Sequence, residues 1–156
     1  MTHTRKEVIR RAVREFRLLD QLVAGLTAAE WRKAVPRTGT KDPWTVKDAL
    51  AHITYWKAGV VREARGKRML PEHSLKPTQL NHLVYTRYRK HPPREVLEWH
   101  RRVHEDLLKA LQEAPDAWFS RPSRRDNWPY DLDGHSAEHR LKDIRQALAR
   151  RKTKAR

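Results

Sequence analysis

The sequence predicts an all-α protein built as a four-helix bundle, and three features lead to that prediction. Apolar residues recur at steps of three and four in four separate segments, which is the period of a helix with one buried face. No segment alternates apolar and polar residues as a half-buried strand would. Stretches containing proline and glycine separate the segments. Four helices with one apolar stripe each bury those stripes most simply by packing together.

The first predicted helix begins after Thr4, whose hydroxyl can cap it. Gly25 weakens the end of this helix, and Thr27 can start a short turn through Glu30 and Trp31. The stretch PRTGTKDP that follows predicts a loop. The apolar stripe of the first helix comprises Ile9, Ala12, Val13, Phe16, Leu19, Leu22, Val23 and Leu26.

The second predicted helix begins at Thr45, because TVKD has the spacing of a capping box with Asp48 in the acceptor position. Gly66 and Pro71 end the helix, and a linker runs to Pro77. Its buried stripe comprises Val46, Ala49, Leu50, Ile53, Val60 and Ala64.

The third helical region spans about residues 78–113, and Pro92 and Pro93 predict a break within it. Residues 114–134 are rich in proline, aspartate and tryptophan and predict an irregular connection. The last helix is predicted over 135–149. The bundle therefore has long connections before its third and fourth helices. The apolar face of the last helix comprises Ala137, Leu141, Ile144 and Leu148.

The chain is strongly basic, with 35 Lys and Arg against 19 Asp and Glu and a net charge of +16. Such an excess suits an anionic partner such as nucleic acid, and equally a highly charged solvated surface. Because the positive residues are spread along the sequence, we favour the solvated surface. Only ARRKTKAR is densely basic. We therefore predict one domain over residues 1–150 and a basic C-terminal tail over 151–156.

The composition also excludes several kinds of site. The absence of cysteine rules out disulfides, thiolate metal ligands and cysteine nucleophiles. A charged N-terminus and the lack of any long apolar run predict a cytoplasmic protein that neither carries a signal peptide nor enters a membrane. The sequence contains no glycine-rich phosphate loop and no serine-hydrolase elbow.

Three stretches together resemble the DinB superfamily, particularly its DfsB/ClbS-like branch. WTVKDALAHITYW resembles the signature of the family's second helix, through Trp44, Val46, Asp48, His52 and Trp56. LNHLVYTRYRKHPPREVLEWHRRVHEDLLKAL resembles the third helical region, with Asn81 and Tyr85 at matching places. NWPYDLDGHSAEHRLKDI resembles the closing loop and last helix. The resemblance extends from about Val8 to Leu148.

The resemblance implies a four-helix bundle, often dimeric, in which three histidines hold a divalent metal. His52 matches the first ligand and His139 the second, while the third position falls on Asp143. A shifted alignment would use His135 and His139 instead, and both pairs have the i, i+4 spacing that shares a helix face. Relative to Ile144, a step of about 100° per residue places Asp143 near −100° and His135 near 180°. This geometry favours Asp143 and leaves His135 as the alternative.

Imidazoles and a carboxylate around an open position suit zinc, nickel or non-haem iron, which can activate a water molecule. His52 also fits a boundary histidine bonded to a backbone carbonyl, since it lies about 120° from the centre of its stripe. Chance pairs are expected among nine histidines, and His100 and His104 have the same spacing.

By resemblance, the activity is that of a metal-dependent hydrolase or thiol transferase acting on a small molecule in detoxification or stress protection. Tyr55, Asn81 and Tyr85 would line the cavity and position a ligand or water. The alternatives are a nucleic-acid-binding module and a non-catalytic sequestering bundle.

Overall fold

Helices form most of the computed structural model, which describes residues 3–36, 41–122, 129–130 and 141–149. Within these ranges no extended strand occurs, and an isolated bridge pairs Ala34 with Thr45. The all-α prediction is confirmed. The elements are α1 (Arg5–Val23), α2 (Ala28–Trp31), α3 (Val46–Ala64), a 3₁₀ helix (Pro71–Ser74), α4 (Pro77–Tyr88), α5 (Pro93–Glu113), α6 (Asp116–Ser120) and α7 (Lys142–Ala149).

Local sequence signals set most helix ends. Capping boxes begin the first three helices: Thr4 with Glu7, Thr27 with Glu30, and Thr45 with Asp48. In each, the threonine hydroxyl accepts from a backbone N–H that lacks a helical partner. Proline opens α4 and α5, where its missing N–H costs nothing. The caps predicted at Thr4, Thr27 and Thr45 and the break at Pro92–Pro93 are therefore confirmed.

α3 is the central helix, contacting α2, α4, α5 and α7. All six residues of its predicted stripe are buried, but so are Ala51, His52, Thr54 and Tyr55 on other faces. The prediction of one apolar face was too narrow, because neighbours cover α3 nearly all round. Polar side chains on this helix are consequently held inside the bundle.

The set of buried residues on α1 differs from the apolar stripe predicted for this helix. Val8, Ala12, Glu15, Leu19 and Val23 are buried, whereas Ile9, Val13, Phe16 and Leu22 are only partly so. The prediction was wrong in omitting Val8 and Glu15. Glu15 was overlooked because it is charged, and its burial depends on an ion pair with α3.

The connection after α5 is more ordered than predicted. Asp116–Ser120 forms α6, which places Trp118 and Phe119 in an apolar cluster with Val8, Leu107 and Leu111. The Tyr130 hydroxyl donates to backbone oxygens of this region. The predicted irregular stretch is therefore helical over 116–120, while residues 123–128, 131–140 and the tail lie outside the described ranges. No helix in the described part is long and apolar enough to cross a membrane.

Candidate functional site

His52 lies inside the bundle between two tryptophans. His52 is only 2% exposed. The centroid of its ring lies 4.9 Å from the ring centroid of Trp44 and 6.1 Å from that of Trp56. The capping box at Thr45 sets the start of α3, and the helices packed around α3 enclose His52. The boundary position considered from the sequence is wrong. His52 occupies an aromatic environment with little access to water.

Asp143 lies in the first turn of α7 and is 6% exposed. Leu141, Ile144 and Ala147 pack in the same apolar cluster as Leu50 and Ile53 of α3, so α7 lies against the helix that carries His52. His135 and His139 lie outside the described residues, and the choice of third ligand stays a prediction. Among the residues that the structure describes, no group of three histidine, aspartate or glutamate side chains is arranged to hold a metal.

Tyr55 is buried on α3 and its hydroxyl meets the 3₁₀ helix. The hydroxyl lies 3.0 Å from Glu72 Oε1 and 3.1 Å from His73 Nε2. Arg87 of α4 donates to the same Glu72 oxygen at 3.2 Å. Gly59, one turn after Tyr55 on α3, leaves room for His73, since a Cβ there would lie 3.4 Å from His73 Cε1. A polar network of four side chains therefore joins α3, the 3₁₀ helix and α4.

The charges in this network set its proton positions. Backbone hydrogen bonding, helped by Arg87 and Tyr55, lowers the pKa of Glu72 and keeps it ionised. Burial lowers the pKa of His73, so its ring is neutral at pH 7. The consistent arrangement is that Tyr55 donates to Glu72 and accepts from the Nε2–H of His73. His73 Nδ1 is then an unprotonated acceptor, buried without a hydrogen-bond partner among the described residues.

Asn81 and Tyr85 lie one turn apart on α4 and are both partly buried. Asn81 Oδ1 is buried with no hydrogen-bond partner in the described ranges. Leu80 and Val84, on the same helix, pack with Tyr55 in one cluster. Tyr85 itself packs against a different cluster, the one that contains Trp44, Leu50 and Ile53. A separate groove of about 380 Å³ between α4 and α5, lined by Tyr88, Val96, Trp99 and others, includes none of the predicted site residues.

Glu72 and His73 were not among the site residues predicted from the sequence. Pro71 could have indicated a turn there, because proline favours the first position of a helix. Nothing in the pattern of the linker, however, indicated that this turn would fold back onto Tyr55.

Tyr55 provides a spectroscopic test of this network. Burial, then the Glu72 carboxylate, raises the pKa of Tyr55 to about 12. A raised pKa means that the fold favours the neutral phenol, so this stabilisation is present below pH 10 and lost towards pH 12. We expect a Tyr55→Phe substitution to remove a phenolate absorbance step near pH 12. A Tyr88→Phe control should retain that absorbance step. If the step persisted in Tyr55→Phe, its assignment to Tyr55 would be contradicted.

A second polar cluster lies deeper, between α1, α3 and α5. Lys57 forms an ion pair with Glu15, both almost fully buried. His100 and His104 of α5 stack on Phe16, with ring centroids 4.9 and 3.7 Å from it. From the sequence, the spacing of this histidine pair is one expected by chance. The structure instead places both rings in the core.

The model of the DinB superfamily matches residues 11–151. No curated protein and no solved structure matches the chain. The matched range contains both α3, which carries His52, and α7, which carries Asp143. Because the match spans most of the sequence and agrees with the helical architecture, the chain belongs to the DinB superfamily.

Proposed function

We propose that this protein is a metal-dependent hydrolase or thiol transferase, acting on a reactive small molecule in detoxification or stress protection. The proposed ligands of a divalent metal (zinc, nickel or iron) are His52, His139 and Asp143. The observation that carries the proposal is the burial of His52 and Asp143 on α3 and α7, two helices in contact. The finer placement in the DfsB/ClbS-like branch rests on the resemblance of the three sequence stretches.

The donor set fits such a metal. Imidazole nitrogen and carboxylate oxygen are ligands of zinc, nickel and iron. Asp143 supplies such a carboxylate oxygen from a buried position on α7. A bound cation would supply Lewis-acid activation of a water, thiol or carbonyl group.

The surrounding side chains have separate roles in this proposal. Trp44 and Trp56 hold the His52 ring between them and exclude water from it. The buried Asn81 Oδ1 is available to accept a hydrogen bond from a ligand. Tyr55 contributes a hydroxyl whose proton is retained at neutral pH.

Metal analysis tests the proposal. After reconstitution with zinc, nickel or iron, we expect one metal ion per chain, lost in His52→Ala and in Asp143→Asn. His91→Ala is the matched control, because His91 is an exposed histidine bonded to Glu95 at 2.9 Å. Circular dichroism of each variant separates loss of metal from loss of fold.

Two results would contradict the metal site: no stoichiometric metal in the wild type, or unchanged metal in His52→Ala. Loss of metal in His135→Ala, with retention in Asp143→Asn, would move the third ligand to His135. Conjugation of a small thiol to an aryl chloride by the loaded protein would support transferase chemistry. Tight binding of small molecules with neither metal nor turnover would instead favour a sequestering bundle.

A further inference from the structure

The solvent face of α1 carries a row of exposed cations, Lys6, Arg10, Arg14 and Arg17, which we call the basic stripe. A helical step of about 100° per residue places all four within an arc of about 80°. At about 1.5 Å per residue the stripe is about 16 Å long. It is therefore a straight row of positive charge on one rigid helix.

The acids of α1 offset the stripe only in part. Asp20 pairs with Arg101 and Glu15 with Lys57, so both acids are engaged by other helices. Glu7 hydrogen-bonds within the Thr4 capping box, and Arg10 and Arg11 help to lower its pKa. Within the described residues, none of the four stripe cations forms an ion pair with a carboxylate.

Three exposed arginines on other elements are paired with carboxylates instead. Arg94 pairs with Glu98, Arg121 with Glu63 and Arg87 with Glu72. The exposed face of α5 also mixes both signs of charge, through Glu98, Arg102 and Glu105. Exposed cations without an ion pair also occur elsewhere in the described residues, as at Arg65, Lys67 and Arg68, but on α1 four of them form one straight row on a single helix face.

We propose that the basic stripe binds the phosphate backbone of nucleic acid without sequence selectivity. Three of its four cations are arginines, whose planar guanidinium binds phosphate oxygens in pairs. The phosphates of one strand recur about every 3.4 Å along the duplex axis, so the axial span of a row of about 16 Å includes four or five of them. The net charge of +16 adds long-range attraction.

A membrane surface fits the same helix less well. Binding of an amphipathic helix to lipid requires its apolar face to enter the bilayer. The apolar face of α1, which includes Val8, Leu19 and Val23, is already buried in the bundle. Leu18 is the exposed large apolar residue on α1, at 37% exposure, and one side chain is too little for insertion.

The experiment measures fluorescence anisotropy of a labelled duplex of about 20 base pairs, at about 50 to 200 mM salt. Neutralising about four phosphates predicts a slope near −3.6 in log affinity against log salt, or about a 100-fold weakening over that range. Replacing three cations, as Arg10→Gln, Arg14→Gln and Arg17→Gln together, should reduce the slope by about three and the affinity by about 100-fold.

The matched control removes the same charge from the segment after α3, as Arg65→Gln, Lys67→Gln and Arg68→Gln together, all exposed. We expect less than about a threefold loss of affinity in this control, because long-range charge contributes weakly at such salt. His52→Ala should bind DNA as the wild type does, which separates this inference from the metal proposal.

Three outcomes would overturn the inference. The wild type could fail to bind the duplex at low salt. The control could lose as much affinity as the stripe variant, which would indicate net charge without a site. Binding to phosphatidylserine vesicles in preference to DNA would assign the stripe to a membrane surface instead.

Discussion

Acidification from pH 6.5 to about 4.5 is expected to cost the fold about 5 kcal/mol, through His100 and His104. His100 is 1% exposed and His104 lies beside it on α5. Burial, then the charge of Lys57, lowers the pKa of His100 to about 3 and that of His104 to about 4. Both rings are therefore neutral in the folded protein at pH values where the unfolded chain binds protons.

The sign follows from the proton count. Below about pH 6.5 the unfolded state gains one proton at each histidine, while the folded state gains none until about pH 4. Within this window, each decrease of one pH unit therefore lowers the free energy of unfolding by about 1.4 kcal/mol per histidine. The combined loss from both histidines is comparable to the free energy of unfolding of a typical domain, about 5–15 kcal/mol. Among the neighbouring charges, Lys57 and Arg101 reinforce the effect on His100.

Denaturant unfolding between pH 7 and 4.5 measures this effect. His100→Leu and His104→Leu should each remove about half of the pH dependence, whatever their stability at pH 7. His82→Gln with His91→Gln is the control, since both histidines are exposed. The free energy of unfolding could depend on pH as steeply in the core variants as in the wild type, or lose this dependence in the control. Either result would show that other groups cause the acid sensitivity.

A Lys57→Met substitution is expected to destabilise the protein by about 3–5 kcal/mol. Lys57 is 3% exposed and its ammonium forms an ion pair with Glu15, itself 2% exposed. Removing the cation leaves a carboxylate buried between α1 and α3 without its partner. The reverse change, Glu15→Leu, leaves a buried ammonium and should cost a similar amount.

The double variant distinguishes this mechanism from simple loss of packing. Glu15→Leu combined with Lys57→Met removes both charges, and we expect its stability to recover to within about 1 kcal/mol of the wild type. Lys109→Met on the exposed face of α5 serves as a control with little effect. Additive losses in the double variant would mean that the two charges do not depend on each other.

Removing Lys57 should also alter the acid response. The Lys57 charge lowers the pKa of both His100 and His104. Without it the folded state binds protons at higher pH, so the window in which acid destabilises the fold narrows. The two predictions therefore concern one coupled cluster.

Local signals account for what could be predicted here. A capping threonine, an opening proline or a glycine after a helix acts through its own backbone neighbours, so the ends of α1, α3 and α5 could be predicted from a few residues. The inward position of His52 could not be predicted in this way, because it depends on the helices that cover α3 on several sides. Which helix is central could not be predicted, since each apolar stripe shows only that a helix is covered.

Contacts between distant residues decided the rest. In the sequence, Glu15 resembles a surface charge. In the structure it forms a buried ion pair with Lys57, which lies 42 positions later in the chain. Asp20 would offset the basic stripe if Arg101 of α5 did not bind it, and Tyr55 acquires Glu72 and His73 only because the 3₁₀ helix folds back. The sequence by itself determined the main helical segments, most of their ends and the family, but not α6 or the 3₁₀ helix. Only the tertiary structure decided which charges are buried, paired or left facing solvent, because a charge is compensated by whatever lies nearest to it in space.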